Sequence, residues 1–353
     1  MKKIISLVTS VTLAAFMLAG CGASSSTKAT STTSTNTSST PSPKAEATVK
    51  TGLGITTSVA SSTPAGDKDG LAEADSIIAA VTVDKDGKIV KCVLDAAQTK
   101  VNFTKAGKIT TDLKSTFKTK QELKEDYGLK KASKLGKEWY EQANAFSAYV
   151  IGKTAAEVKG IAVTSDGTAS DKTLASSVTV KVGDFISAVV KATEGAKDFG
   201  AKSTDKLGLG VNTSISGSKD AADKDGLVEV YSYYTATTFD ASGKVTTSII
   251  DATQGDVNFS KEGKITSDIK APVQTKNELG DKYGMKKASK IGKEWNEEAA
   301  AFAKYAVGKT VSEIKGIAVT SEGIPSGADL NTSVTIHIAP FQSIIEAASK
   351  TAK

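Results

Sequence analysis

The chain of 353 residues carries 45 basic against 39 acidic side chains, a formal net charge of +6, with one histidine and two cysteines. Its basic residues are all lysines interspersed with Asp and Glu, so the arginine forks and basic stripes with interleaved aromatics that hold nucleic acid are absent. The mild positive balance reads as solubility and attraction to an anionic surface, and a single histidine excludes a Ser-His-Asp triad or a histidine metal centre repeated along the chain.

Residues 1–20 open with Lys2 and Lys3, run through an apolar stretch at 4–17 and end in small residues. This is the pattern of a secretory signal peptide, too short and wrongly flanked for a membrane span. Leu18-Ala19-Gly20-Cys21 resembles the bacterial lipobox, which implies cleavage before Cys21, diacylglycerol on its thiol, and anchoring to the outer face of a membrane. Cys92 then has no partner for an internal disulfide, and with Ser248 as its later counterpart it reads as a small buried residue. The rest of 21–50 is dominated by Ser, Thr and Pro and reads as a disordered tether. As a random coil it would span about 30 Å, and fully stretched on the order of 95 Å.

Residues 51–190 align with 207–346 at a constant offset of 156 without a gap, about half the positions being identical. "DKDGL", "VNF", "KKASK" followed by "GKEW", and "KGIAVTS" all recur. The expected organisation is therefore two homologous α+β domains at 51–193 and 207–350, joined by a polar linker at 194–206. In each, apolar runs (72–83 and 88–95 in the first) flank a hairpin turn, "DKDG" at 84–87 and "DASG" at 240–243. The spacing predicts a helix over 131–150, with Leu135, Trp139, Ala143, Phe146 and Val150 on one stripe. Its counterpart carries Ile291, Trp295, Ala299, Phe302 and Ala306. Trp139 and Trp295 read as core residues, with a wall of a cofactor pocket as the other reading. A turn at 154–158, a strand near 160–164, a strand at 177–182 and a terminal helix at 184–193 complete the unit. His337, whose counterpart is Lys181, reads as a solvent-facing strand residue.

"GLG" at 52–54 and 208–210 hints at a dinucleotide loop, but Thr57 and Thr213 replace the third glycine and a strand is expected to follow. No Walker-type lysine motif occurs. What remains is a hydroxyl-rich run before each terminal segment, "TLASSVT" at 173–179 and "DLNTSVT" at 329–335. Read by itself, such a run is an edge strand of β-branched residues.

Asp329-x-x-Thr332-Ser333-Val334-Thr335 resembles the flavinylation signature of FMN-binding domains, Asp-x-x-Ser/Thr-Gly/Ser-Ala-Thr/Ser, with Val334 in place of the usual Ala. The first copy keeps Ser176, Ser177, Val178 and Thr179 but has Thr173 in place of the leading Asp, with Asp171 two residues earlier. Together with the lipobox, the tether, the "TGLG" and "LGLG" openings and the "GKEW" segments, nearly the whole chain is similar to the peptide-pheromone-encoding lipoprotein A type. This is a lipoprotein family of flavin-based extracellular electron transfer in Gram-positive bacteria. The resemblance implies an α+β fold of two tandem FMN-binding domains, each an antiparallel sheet with a long amphipathic helix and a C-terminal helix. It implies covalent FMN, a phosphoester on Thr335 and on Thr179, with Asp329, Thr332, Ser333, Ser176 and Ser177 as motif partners. An FAD- and Mg-dependent flavin transferase would attach the groups, supplying the base and the metal-polarised phosphoryl donor that a threonine hydroxyl needs. Electrons would come from a membrane quinol-linked dehydrogenase chain and leave to ferric iron or free flavins. The same family's signal peptides yield short apolar pheromones, here from 12–20.

Tyr231, Tyr233 and Tyr234 stand where the first copy has Asp75, Ile77 and Ile78, so the two flavin environments are expected to differ. The alternatives are a binding or adhesion module whose Ser/Thr run is only a strand, and an extracellular flavin-dependent reductase, which would need a substrate pocket with proton donors.

Overall fold

The computed structural model describes residues 47–353; the signal segment, Cys21 and the tether up to residue 46 lie outside the described residues. Residues 47–50, expected as the end of a disordered tether, are ordered. Thr48 bridges Lys202, and buried Val49 donates its N–H to the Ala201 carbonyl at 2.9 Å.

Two three-stranded antiparallel sheets form the centre, in the orders β1-β2-β3 and β4-β5-β6. The strands are β1 Lys50–Ser58, β2 Gly70–Val83, β3 Ile89–Phe103, β4 Lys206–Ser214, β5 Gly226–Phe239 and β6 Val245–Phe259. The hairpin turns are as expected. Gly87 takes φ +78°, and the Asp84 carboxylate accepts from the Asp86 and Lys88 N–H groups at 2.9 Å, an Asx-type turn. Asp240 does the same for Ser242 and Lys244. β3 runs beyond the expected 88–95 because its second part, through Phe103, pairs with the start of β2.

The helices are α1 Lys120–Leu123, α2 Trp139–Tyr149, α3 Ala155–Lys159, α4 Lys172–Ala175, α5 Gly183–Glu194, α6 Lys276–Leu279, α7 Trp295–Ala306, α8 Val311–Lys315, α9 Ala328–Asn331 and α10 Ala339–Thr351. The helix expected over 131–150 starts only at Trp139, leaving Leu135 outside it. Gly136 at φ +60° breaks the chain direction, and Glu138 then caps the helix in extended conformation while Glu141 accepts its N–H at 2.8 Å. The expected strands at 160–164 and 177–182 are absent: Val163 and Lys181 make only isolated bridges. At 171–175 the Asp171 carboxylate accepts the Leu174 N–H at 2.9 Å and starts a helical turn, so the hydroxyl run leaves a helix and not a strand. His337 is exposed, as expected, but lies in an irregular segment.

Alternation along β2 and β5 builds a layered core. Ala79, Val81 and Val83 pack with α2 and α5, whereas Ile78 and Ala80 pack with Leu207, Leu209, Tyr234 and Ala236 of the opposing sheet. A further shared cluster joins Val101 and Phe103 to Val257 and Phe259, the two phenyl rings stacked at 4.4 Å and 18°. α5 covers β1 and β2 on the outside, and α10 covers β4 and β5.

The "GLG" glycines explain this cover. A Cβ on Gly52 would lie 1.9 Å from the Ala192 carbonyl oxygen, and one on Gly210 1.8 Å from that of Ile344. They sit in strands and let a helix backbone lie directly on the sheet, which is packing and not phosphate binding.

Candidate functional site

The hydroxyl runs end in equivalent surroundings. Leu174 and Val178 are buried in the first, Leu330 and Val334 in the second, and these anchor the turn that follows α4 or α9. Val334, like Val178, is fully buried, so the departure from Ala fills the core. The next residue, Thr179 or Thr335, is half-buried.

Each threonine is held by one fully buried side chain, 37 residues earlier, on the first turn of the preceding long helix. In the first half this is Gln142, whose Oε1 accepts from the Thr179 N–H at 2.7 Å, the Val180 N–H at 3.2 Å and the Thr179 hydroxyl at 3.2 Å. In the second it is Glu298, whose carboxylate accepts from the Thr335 N–H at 2.6 Å and from the Thr335 hydroxyl at 3.2 Å to either oxygen. A serine of the "KKAS" segment completes each chain. Gln142 Nε2 donates to Ser133 Oγ at 3.2 Å, while Ser289 Oγ donates to the Glu298 carboxylate at 2.9 Å. Each buried polar group thus finds partners of the complementary kind, donors around the Glu298 carboxylate and the Gln142 Oε1 and acceptors around the Gln142 Nε2, as burial requires. The repeated "KKASK" and "GKEW" segments serve this network: Glu138 and Glu294 fold the loop back by accepting the N–H groups of Leu129 and Lys130, and of Met285 and Lys286.

Of the other motif residues, Ser176 is exposed and donates to the Thr173 carbonyl at 2.7 Å; Ser177 is half-buried. Ser333 donates to the Leu330 carbonyl at 3.1 Å, and Thr332 is the exposed C-cap of α9. Asp329 is exposed in the first turn of α9, and the position of Asp171, the N-cap of α4, is matched there by Gly327.

Trp139 and Trp295 are core residues, 4% and 3% exposed, each edge-on to a phenylalanine at 5.6 Å, Phe185 and Phe341. They lie three residues before Gln142 and Glu298, on the adjoining face of the same helix. Around Trp295 the halves diverge. Lys276, 2% exposed, donates to the hydroxyls of Tyr231 and Tyr283, with Nζ 4.3, 4.0 and 5.0 Å from the ring centres of Tyr231, Tyr283 and Trp295. Tyr231 and Tyr233 stack at 4.4 Å. Burial lowers the Lys276 ammonium to about 7, against the opposing pull of Glu229, Asp251 and Asp256. Burial also pushes Tyr233 up to about 12. In the first half Lys120 is only half-buried, over Tyr127 at 4.5 Å and Trp139 at 5.5 Å, beside Asp75, whose carboxyl burial raises. Tyr234 points the other way, into the inter-sheet core, where its hydroxyl bonds Ser76 and Thr253 at 2.9 Å.

A cleft of about 1260 Å³ lies on another face of α7, lined by Leu53, Phe199, Ile249, Ala303 and Val307 among others; neither motif threonine borders it. Cys92 is buried and free, its thiol pushed up to about 12 by burial, as expected of a structural residue.

Sequence reasoning did not find Gln142, Glu298, Lys120 or Lys276. The signal for the lysines was available in the recurring "TKQEL" and "TKNEL". Gln142 and Glu298 come three residues after a stripe tryptophan and four before a stripe phenylalanine, so their spacing set them at the edge of the apolar face, but their polarity read as solvated until the fold showed their burial. No protein-family model matches the chain, and no curated protein or solved structure matches it.

Proposed function

We propose that this chain is a lipid-anchored electron carrier on the outer face of a Gram-positive membrane, with FMN joined by phosphoester to Thr335 and Thr179. One observation carries the reading. Two threonines predicted from a modification motif both end a buried-anchored turn, both are half-buried, and both are held by the same helix position. A plain edge strand, the rival reading of the motif, has no need of such a holder.

The residues present suit the group. Exposed Ser176 and Thr332 and other small residues flank the half-buried threonines, while Trp139 and Trp295 lie in the core on the helices that carry the holders. When bound, FMN supplies the redox chemistry; the chain fixes the attachment atom and the charge around it. An ester link also prevents loss by dilution outside the cell, where a dissociable cofactor depends on free ligand. The flavin transferase, the quinol-linked donor chain and ferric iron or free flavins as acceptors belong to the same proposal.

Incubation of the mature chain with a flavin transferase, FAD and Mg²⁺ tests it. The denatured protein should be yellow and heavier by two FMN-sized increments, Thr335→Ala and Thr179→Ala each removing one. A colourless product of unmodified mass refutes the reading. Singly loaded variants should also titrate at different potentials, because Tyr231 and Tyr233 replace Asp75 and Ile77 and Lys276 is buried where Lys120 is only half-buried.

A further inference from the structure

We infer that in the second half Glu298 adds general-base assistance from within the acceptor chain to the base that the transferase supplies, while the first half has only a neutral holder, Gln142, so that Thr335 is modified faster than Thr179. The inference rests on the flavin-attachment reading and goes beyond it by locating a catalytic group within the acceptor chain.

The observations are geometric. The Thr335 hydroxyl donates to the Glu298 carboxylate at 3.2 Å, and that carboxylate is fully buried and fixed by the Thr335 N–H and by Ser289. A hydroxyl nucleophile hydrogen-bonded to an oriented base is the arrangement that activates a weak nucleophile. Gln142 occupies the same position with the same contacts to Thr179, but an amide oxygen does not take up a proton at neutral pH.

The step balances without an oxidant or reductant. Thr335 Oγ forms a bond to the FMN phosphorus of FAD, the pyrophosphate P–O bond breaks, and AMP leaves. The hydroxyl proton passes to Glu298. Its uptake neutralises the buried carboxylate as an anionic phosphodiester forms beside it, which removes a like-charge contact that would oppose the product. At Thr179 no such repulsion arises, and no in-chain base assists, so the transferase must remove the proton.

The test exchanges the two holders in the full mature chain: Glu298→Gln, Gln142→Glu and the double exchange. With transferase, FAD and Mg²⁺ supplied, the FMN mass increment on each threonine peptide is followed with time, the other threonine serving as an internal control for folding and enzyme activity. Because Gln142 holds Thr179 through the same contacts, E298Q keeps the hold on Thr335 and removes the carboxylate's charge together with its proton uptake. General-base assistance is worth about 10²–10⁴-fold. The expected result is Thr335 ahead of Thr179 in the wild type, a loss of about 100-fold at Thr335 in E298Q, and a gain at Thr179 in Q142E. Both threonines modified at unchanged relative rates in E298Q would overturn the role of Glu298 while leaving the flavin reading intact. No increment on either threonine of the wild type would overturn both.

Discussion

At the residue scale, buried ionisable groups make stability depend on pH in two opposite ways. Asp95 is 4% exposed, and burial raises its carboxyl to about 7 although the N–H groups of Ala96 and Gln121 donate to it. The folded state therefore holds a proton that the unfolded chain has released above about pH 4, so ionising Asp95 costs stability as pH climbs toward 7. Asp95→Asn should gain on the wild type between pH 4 and 7 in denaturant-unfolding midpoints; a constant difference across that window would refute the burial argument. Lys276 acts in the other window. Its folded value near 7 lies below the unfolded value, so the unfolded chain binds the extra proton between about 7 and 10.5, and wild-type stability rises with pH there. Lys276→Met should then be at its best relative to wild type below pH 7 and lose ground toward pH 10. The serine in each network is a simpler case. Ser133→Ala leaves the Gln142 amide short of a partner and should cost about 1–3 kcal/mol by chemical denaturation.

At the element scale, helix contact with the sheets depends on four glycines. Gly210→Ala places a methyl 1.8 Å from a backbone oxygen of α10, which a side-chain shift cannot relieve. Overpacking of this kind costs about 1–3 kcal/mol or more, whereas Gly66→Ala, with open space around it, should stay within about 0.5 kcal/mol. Thermal unfolding of the pair checks the contrast, and equal losses would refute it. Elements were legible where local chemistry decides them, as at the Asp84 and Asp240 turns and in α5, expected at 184–193 and found at Gly183–Glu194. They were misread where two local signals compete. The hydroxyl runs are rich in β-branched residues, yet the buried leucine and valine of each, with the Asp171 cap in the first, impose a helical turn. The stripe counted from Leu135 is periodic, but Gly136 and the Glu138 cap delay the helix to Trp139.

At the scale of the whole molecule, the halves share core. Phe103 and Phe259 stack across them, and Tyr234 reaches Ser76 of the opposite sheet. Phe103→Ala should cost about 3–5 kcal/mol and lower the unfolding midpoint of the whole 47–353 unit in one transition. Two separate transitions, with the second half unaffected, would show that the shared clusters contribute little.

What the sequence by itself determined is what short stretches encode: the signal and lipobox pattern, the 156-residue repeat, the hairpin turns, the burial of Cys92 and the paired hydroxyl runs. What only the tertiary structure decided is which groups meet across long separations. The pairing of Thr335 with Glu298 and of Thr179 with Gln142, the closure of three aromatic rings around Lys276, and the glycine contacts with α5 and α10 all join residues far apart in the chain. Periodicity reports which face of an element is apolar, but a polar residue at the edge of that face reads as solvated until packing shows what covers it. Glu298 is such a residue, and its burial beside a hydroxyl distinguishes the two halves more sharply than any motif in the sequence.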